Sequence, residues 1–119
     1  MNQTARRTDL VDSDDVIGTN IYDAANEHVG TVERLVLGKL DGRVAYAVLS
    51  FGGLWGLGSE YYPIPWSGLR YDEDLDGFRI SLTKEQVENG PKYDPNQAYD
   101  WTNENGRQIH GYYGAEYPY

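Results

Sequence analysis

The sequence has no cysteine, so disulfides, thiolate metal sites and cysteine nucleophiles are excluded. It has no run of about 18 apolar residues, so no membrane-spanning helix is expected. The opening stretch MNQTARRTDLVDSDD sets no apolar segment behind Arg6 and Arg7. Neither a secretory signal nor a paired-arginine export signal is therefore expected, and the expected location is cytoplasmic. Positive charge is scarce: 10 Lys and Arg stand against 19 Asp and Glu, a formal net charge of −9. Such a chain repels phosphate backbones, so direct nucleic-acid binding is not expected. The charge serves solubility or attracts a basic protein partner.

Histidine is scarce too. His28 and His110 lie far apart, and neither has a partner at metal-ligand spacing. Ser50 and Ser59 lack the pattern of a nucleophile elbow. No catalytic, cofactor-binding or metal-binding residue is expected on these grounds, and the chain is read as a non-enzyme.

What is present points to β-structure. At 119 residues with 39% hydrophobic content, one domain is expected, with a polar, mobile segment over residues 1–13. Two β-rich runs, residues 32–37 and Val44–Phe51, flank Lys39-Leu40-Asp41-Gly42. Asp-Gly between apolar runs signals a hairpin, because Gly42 can adopt positive φ. The second run is apolar at both parities: Val44, Tyr46 and Val48 on one side, Ala45, Ala47, Leu49 and Phe51 on the other. A strand buried on both faces belongs at the centre of a fold.

Around this hairpin the chain reads as follows. A strand is predicted over residues 16–22 with Ile17 and Ile21 pointing inward, and a turn in which Asn26 tolerates a left-handed backbone. A glycine-rich loop, GGLWGLGS, carries Leu54, Trp55 and Leu57. Neither a helix nor a lysine follows its glycines, which argues against phosphate binding. Pro63 and Pro65 alternate with Tyr62, Ile64 and Trp66, which marks an edge strand. Residues 69–71 and 78–82 read as two further strands. Between them Asp72, Asp74, Asp76 and Gly77 match the front of a calcium loop, but Thr83 stands where the bidentate glutamate belongs. A solvated turn with Gly77 at positive φ is the simpler expectation. A helix over residues 84–89 has Thr83 as its cap, Gln86 completing a capping box, and Gly90-Pro91 as its stop. Buried positions are expected at Val32, Leu35, Leu37, Val44, Val48, Leu49, Ile64 and Ile80.

Residues 91–119 hold six of the eleven tyrosines and Trp101, with few aliphatics. Short helical turns are expected at residues 96–99 and 108–113. Such a segment docks its rings on its own barrel or on a second copy. The candidate protein interface is Leu54, Trp55 and Leu57 with Trp101, Tyr112, Tyr113 and Tyr117, and a homodimer is expected.

Several stretches together resemble the PRC-barrel domain. They are Asp15-Val16-Ile17-Gly18, Ile21-Tyr22-Asp23, Val29-Gly30-Thr31-Val32, the run from Ala45 through Ser50-Phe51-Gly52-Gly53, Trp55-Gly56-Leu57-Gly58, Pro63-Ile64-Pro65-Trp66 and Leu69. The match covers residues 12–90, with a barrel domain expected over 14–90 and an aromatic extension over 91–119. The family is named for the cytoplasmic domain of the photosynthetic reaction centre H subunit. It also includes a domain of a ribosome-maturation factor and many stand-alone bacterial and archaeal proteins. The resemblance implies an all-β fold: a small antiparallel barrel of about six strands, acting through protein–protein contact. The resulting expectation is a self-associating scaffold or binding module. Two alternatives stand beside it. One is a ligand-binding domain or enzyme using the barrel mouth with Asp72, Asp74, Asp76 or His28. The other is an accessory factor in RNA or ribosome metabolism that acts through a protein partner.

Overall fold

A computed structural model describes residues 10–51 and 60–119. The expected loop residues Leu54, Trp55 and Leu57 lie outside the described residues, as does most of the expected mobile N-terminal segment. Six strands form one sheet: β1 (Asn20–Tyr22), β2 (His28–Leu37), β3 (Val44–Phe51), β4 (Tyr61–Pro65), β5 (Leu69–Asp72) and β6 (Gly77–Ile80). Three helices join them: α1 (Ser13–Val16), α2 (Lys84–Glu88) and α3 (Asn103–Tyr113). Among the described residues no helix is long and apolar enough to cross a membrane.

The sheet order is β4-β3-β2-β1-β6-β5. Strands β1 to β4 form an antiparallel meander, and β5 and β6 form a hairpin. Strand β6 pairs with β1 in parallel, so the expected antiparallel barrel is corrected to a mixed sheet. The cause lies between Pro65 and Leu69. The chain passes through a single 3-10 turn, Trp66–Gly68, and enters β5 without reversing. That same connection curls the sheet. A flat six-stranded sheet would hold its edge strands about 24 Å apart, at about 4.8 Å per neighbour. Four residue steps reach about 14 Å at most. Because β4 and β5 are the two edges, the sheet rolls up, and it stops at a half-barrel because the edges do not pair.

The β2–β3 hairpin forms where Asp41-Gly42 predicts it. Gly42 has φ +71°, and Asp41 Oδ1 accepts the Arg43 amide at 2.9 Å. Register shifts between Val32 and Arg34, and between Val36 and Leu37, modify the simple alternation. Ala47, Leu49 and Phe51 join the interior core, while Tyr46 packs with Ile109 of α3 on the outer face. Beyond the second shift Val44 turns inward with Leu35 and Leu37. Leu37 therefore ends at a rim and is 56% exposed, and Leu35 and Val44 are half-buried, against the expectation of burial. Val32, Val48, Leu49, Ile64 and Ile80 are buried as predicted.

Other expectations shift locally. The strand predicted from residue 16 starts only at Asn20, because Gly18 at φ +87° turns the chain out of α1. Val16 and not Ile17 enters the core beside Ile21. Asn26 has the predicted left-handed backbone at φ +64°. Buried Asp23 ties that turn by accepting the amides of Ala25 and Glu27, each at 2.9 Å. In the β5–β6 turn Asp76, not Gly77, carries positive φ. Gly77 is needed for space: a Cβ there would sit 2.7 Å from the Asn20 carbonyl oxygen and 2.9 Å from the Tyr22 ring. The α2 capping box forms as read, with Gln86 N donating to Thr83 Oγ1 at 3.2 Å and Thr83 N to Gln86 Oε1 at 2.8 Å.

The C-terminal segment holds the largest departure. Residues 95–97 make a turn, not a helix, and one helix spans Asn103–Tyr113 where a single short turn was expected. Thr102 caps its start by accepting Asn105 N at 3.1 Å, and Gly114 ends it at φ +67°. The short helix α2 is thus one of three.

Ile109 is fully buried beneath Tyr46, so the outer layer contributes to folding and is not an appendage. Ile109→Ala is expected to cost about 2–5 kcal/mol, and Val48→Ala about 1–3 kcal/mol, by lost burial and cavity formation. Urea unfolding with one shared midpoint for tyrosine fluorescence and far-UV circular dichroism checks both. A loss under about 0.5 kcal/mol for Ile109→Ala, the range of an ordinary surface change, would show that α3 is not docked.

Candidate functional site

Among the described residues two surfaces are considered once the core is assigned: an aromatic layer on the outer face of β3 and β4, and a cavity at one end of the half-barrel.

The aromatic layer begins at the sheet edge. Tyr61 and Tyr93 exchange two backbone hydrogen bonds of 2.9 Å, which attach the C-terminal segment to the free side of β4. Tyr61, Pro63 and Pro65 share that free side by parity, and the prolines have no N–H to offer. The rings then follow one another. Tyr61 meets Tyr93 at 5.7 Å, Tyr93 stacks on Tyr99 at 4.5 Å, and Tyr99 meets Trp101 at 4.7 Å. Trp101 stacks on Tyr46 at 5.2 Å, Tyr46 meets His110 at 5.3 Å, and His110 meets Tyr117 at 5.2 Å. The Arg34 guanidinium lies 4.9 Å above the Tyr61 ring, a cation–π contact at the near end.

The expected interface residues divide within this layer. Trp101 and Tyr117 lie over Tyr46, with Trp101 still 39% exposed. Tyr117 donates to Asn103 Oδ1 at 2.8 Å and fills the space that Gly106 leaves open, where a Cβ would come within 2.4 Å of its ring. Tyr112 and Tyr113 lie instead against the end of α2. The Tyr112 hydroxyl donates to the Gln86 carbonyl at 2.6 Å, and its ring is 46% exposed. Gly90 gives both rings room, since a Cβ there would meet Tyr113 Oη at 2.7 Å and the Tyr112 ring at 2.9 Å. Burial raises the Tyr113 hydroxyl pKa, and raises that of Tyr46 to about 12. Burial thus favours the protonated hydroxyl in both.

The cavity is different in kind. It has a volume of about 490 Å³ and lies between α1, the β2–β3 hairpin and the β5–β6 turn. Val16, Leu35, Leu37, Val44, Trp66, Tyr71 and Phe78 make its walls, and Leu10 and Val11 stand at its entrance. Phe78 is edge-on to Trp66 at 5.5 Å and to Tyr71 at 5.6 Å, which fixes three rings against one another. Asp15 and Glu73 are the charged lining residues, and no Lys or Arg lines it among the described residues. No feature of the sequence pattern marked this cavity in advance. Its residues come from six separate stretches, and their shared position depends on the curl of the sheet.

The acidic turn above it is occupied with its own bonds. Asp72 Oδ2 accepts from Arg79 at 3.0 Å, and this pair holds the Asp72 carboxyl below the usual carboxylate range. Tyr71 donates to Asp76, which lowers the Asp76 carboxyl and lifts the Tyr71 hydroxyl to about 12. Asp72 Oδ1 caps the amides of Asp74 and Leu75. Among the described residues no three His, Asp or Glu side chains gather as metal ligands. His28 lies beside Tyr22, far from this turn in the sequence, and is not brought together with the aspartates in any such group.

His110, read from the sequence only as a histidine without a metal-spaced partner, is a buried ionisable group. It is 4% exposed on α3 between Tyr46 and Tyr117. Burial lowers its pKa from the ordinary 6.5, with the Glu116 backbone opposing in part. A histidine with a depressed folded pKa is protonated first in the unfolded chain. Its contribution to stability is complete above about pH 6.5 and falls as pH drops through the window beneath.

The urea midpoint is therefore expected to fall between about pH 7.5 and pH 5, and His110→Phe should flatten most of that fall. An unchanged slope in the variant would remove His110 as the cause. Calcium at millimolar concentration should leave the melting temperature where it is, because Thr83 stands where the bidentate glutamate belongs and the Asp72 and Asp76 carboxylates already have partners. A saturable rise abolished by Asp74→Ala would contradict this.

A family model for the PRC-barrel domain matches residues 9–87, about two thirds of the chain. No curated protein matches the chain.

Proposed function

The chain belongs to the PRC-barrel domain family, and from that premise we propose that it is a non-enzymatic protein-binding module. In this reading the working surface is the cavity of the half-barrel, which receives apolar side chains from a protein partner. The observation that carries it is the cavity itself: about 490 Å³, walled by aliphatic and aromatic side chains, with exposed Leu10, Val11 and Leu37 at its entrance. A soluble chain that leaves such a pocket open beside exposed apolar residues has the features of an interaction site. The lining polar groups are few and peripheral. Thr19 donates its hydroxyl to the Asp15 carbonyl at 2.9 Å, which turns it from the cavity toward the α1 backbone. Nothing in the described lining pairs a nucleophile with a base.

A second copy of the chain is the other partner to consider. Leu37 and Leu40 leave the β2–β3 hairpin with an apolar, exposed tip. The aromatic extension gives self-association less support, because most of its rings already meet the chain's own sheet.

A photo-crosslinking phenylalanine derivative at position 37, used in the native cell, tests the module reading. A discrete adduct is expected, and it should vanish when Val44→Trp fills the cavity. An adduct that survives Val44→Trp in a chain shown to be folded would move the working surface elsewhere. Light scattering at micromolar concentration reads the mass. A dimer abolished by Leu37→Asp would make the partner a second copy.

A further inference from the structure

The outer face of the β5–β6 hairpin holds an arginine pair that the chain does not balance. Arg70 stands directly opposite Arg79 in the antiparallel register, so both guanidinium groups share one face. Like charges in that relation repel. Arg79 is compensated: its Nη2 donates to Asp72 Oδ2 at 3.0 Å, and its Nη1 donates to Asn26 Oδ1. The other Asp72 oxygen accepts the amides of Asp74 and Leu75. Arg70 is exposed, and among the described residues nothing accepts a hydrogen bond or an ion pair from it. That is unexpected in a chain where 19 acidic residues outnumber 10 Lys and Arg. A groove of about 480 Å³ runs from the pair toward Ser67, Gly68 and Ser81, in the direction opposite to Asp72 along β5. Both serines are exposed, and among the described residues neither hydroxyl has a hydrogen-bond partner.

We propose that Arg70 and Arg79, with Ser67 and Ser81, bind the phosphate group of a small molecule in this groove. A guanidinium presents a planar fork of donors that matches phosphate oxygens. Arg79 is held in place by Asp72 and Asn26 and keeps N–H groups beyond those two bonds. Arg70 supplies the uncompensated positive charge, and a bound anion removes the repulsion between the two. The serine hydroxyls add donors along the groove, which suits a tetrahedral group better than a planar carboxylate. The net charge of −9 opposes anions at a distance, but salt screens that opposition beyond about 8–10 Å. A small anion in the groove meets the arginines, whereas a nucleic acid would lay its other phosphates across acidic surface. The groove has the volume of a small-molecule site. Leu69, Tyr71, Phe78 and Ile80 take the inner face of the hairpin, so the groove lies outside the half-barrel and apart from the apolar cavity. The proposal does not rest on the protein-binding reading.

Inorganic phosphate and glycerol phosphate test it, titrated into the full isotope-labelled chain at constant ionic strength, with sodium chloride as the balance. The amide shifts of Gly68, Arg70 and Ser81 are expected to follow one saturable curve, with half-saturation on the order of 1 mM. Glycerol phosphate should bind at least as tightly as phosphate. Arg70→Gln should weaken both by about tenfold or more. Arg70→Lys keeps the charge without the fork and should fall between that variant and wild type. Arg107→Gln removes the same charge from α3 and should stay within about twofold of wild type. Without ligand, Arg70→Gln should melt no lower than wild type, because it removes one member of a like-charge pair. A lower melting temperature would make Arg70 a structural residue and overturn the proposal. Equal weakening by Arg107→Gln and Arg70→Gln would overturn it as well, since attraction would then follow net charge. So would shifts that are absent or that grow without saturating. A phosphoserine peptide that binds at least about tenfold more tightly than glycerol phosphate would make the source a protein and overturn the small-molecule assignment.

Discussion

Three residues, Trp66–Gly68, constrain the whole sheet. They join its opposite edges across a distance that a flat sheet could not close. The sheet must curl, and with the chain still running in one sense through β4 and β5, the returning β6 meets β1 in parallel. The cavity is what the curl encloses at one end. Its walls combine residues as distant as Val16 and Phe78 because the parallel pair brings the start of the sheet beside its finish.

The curl also creates a shortage. A half-barrel of short strands has a small interior, yet β3 is apolar on both faces. Aligned C-terminal aromatics resolve this by forming a second, outer core around Tyr46 and Ile109. The same segment guards the β4 edge, where an unpaired strand invites pairing with another chain. Pro63 and Pro65 remove two outward donors, and Tyr93 takes up the third at Tyr61. The two surfaces thus have different duties. One is covered by the chain's own tail, and the other is an apolar cavity at one end of the half-barrel.

What was legible in the sequence was local. Asp41-Gly42, Asn26 and the Thr83–Gln86 box each act within a few residues, and each appears where it was read. The prolines marked an edge strand because a missing N–H has only one tolerable place in a sheet. What was not legible depends on partners far along the chain. Gly77 looked like a turn residue, but it is small because Asn20 and Tyr22 crowd it from β1. Only a short turn over residues 108–113 was expected where α3 runs, and Gly106 and Gly111 are residues that weaken a helix judged alone. Gly106 proves to be the seat of the Tyr117 ring, and only the fold reveals that. The candidate site divides in the same way. Trp101, Tyr112, Tyr113 and Tyr117 were visible as an aromatic excess, but their partners were not. The cavity has no contiguous motif at all.

The parallel β1–β6 pair also sets a timetable for biosynthesis. Contacts between residues this distant form late, because a long loop must close before they repay its entropy. On the ribosome, Ile21 must wait for Phe78 to emerge before its side of the sheet is complete. The β2–β3 hairpin can form well before that, but Tyr46 and Ala45 gain their cover only when Ile109 follows. A nascent chain stalled soon after Phe78 would present the outer face of β3 bare, with β4 lacking Tyr93 at its edge. Translation speed through the last third of the message therefore bears directly on how long an aggregation-prone sheet is left uncovered.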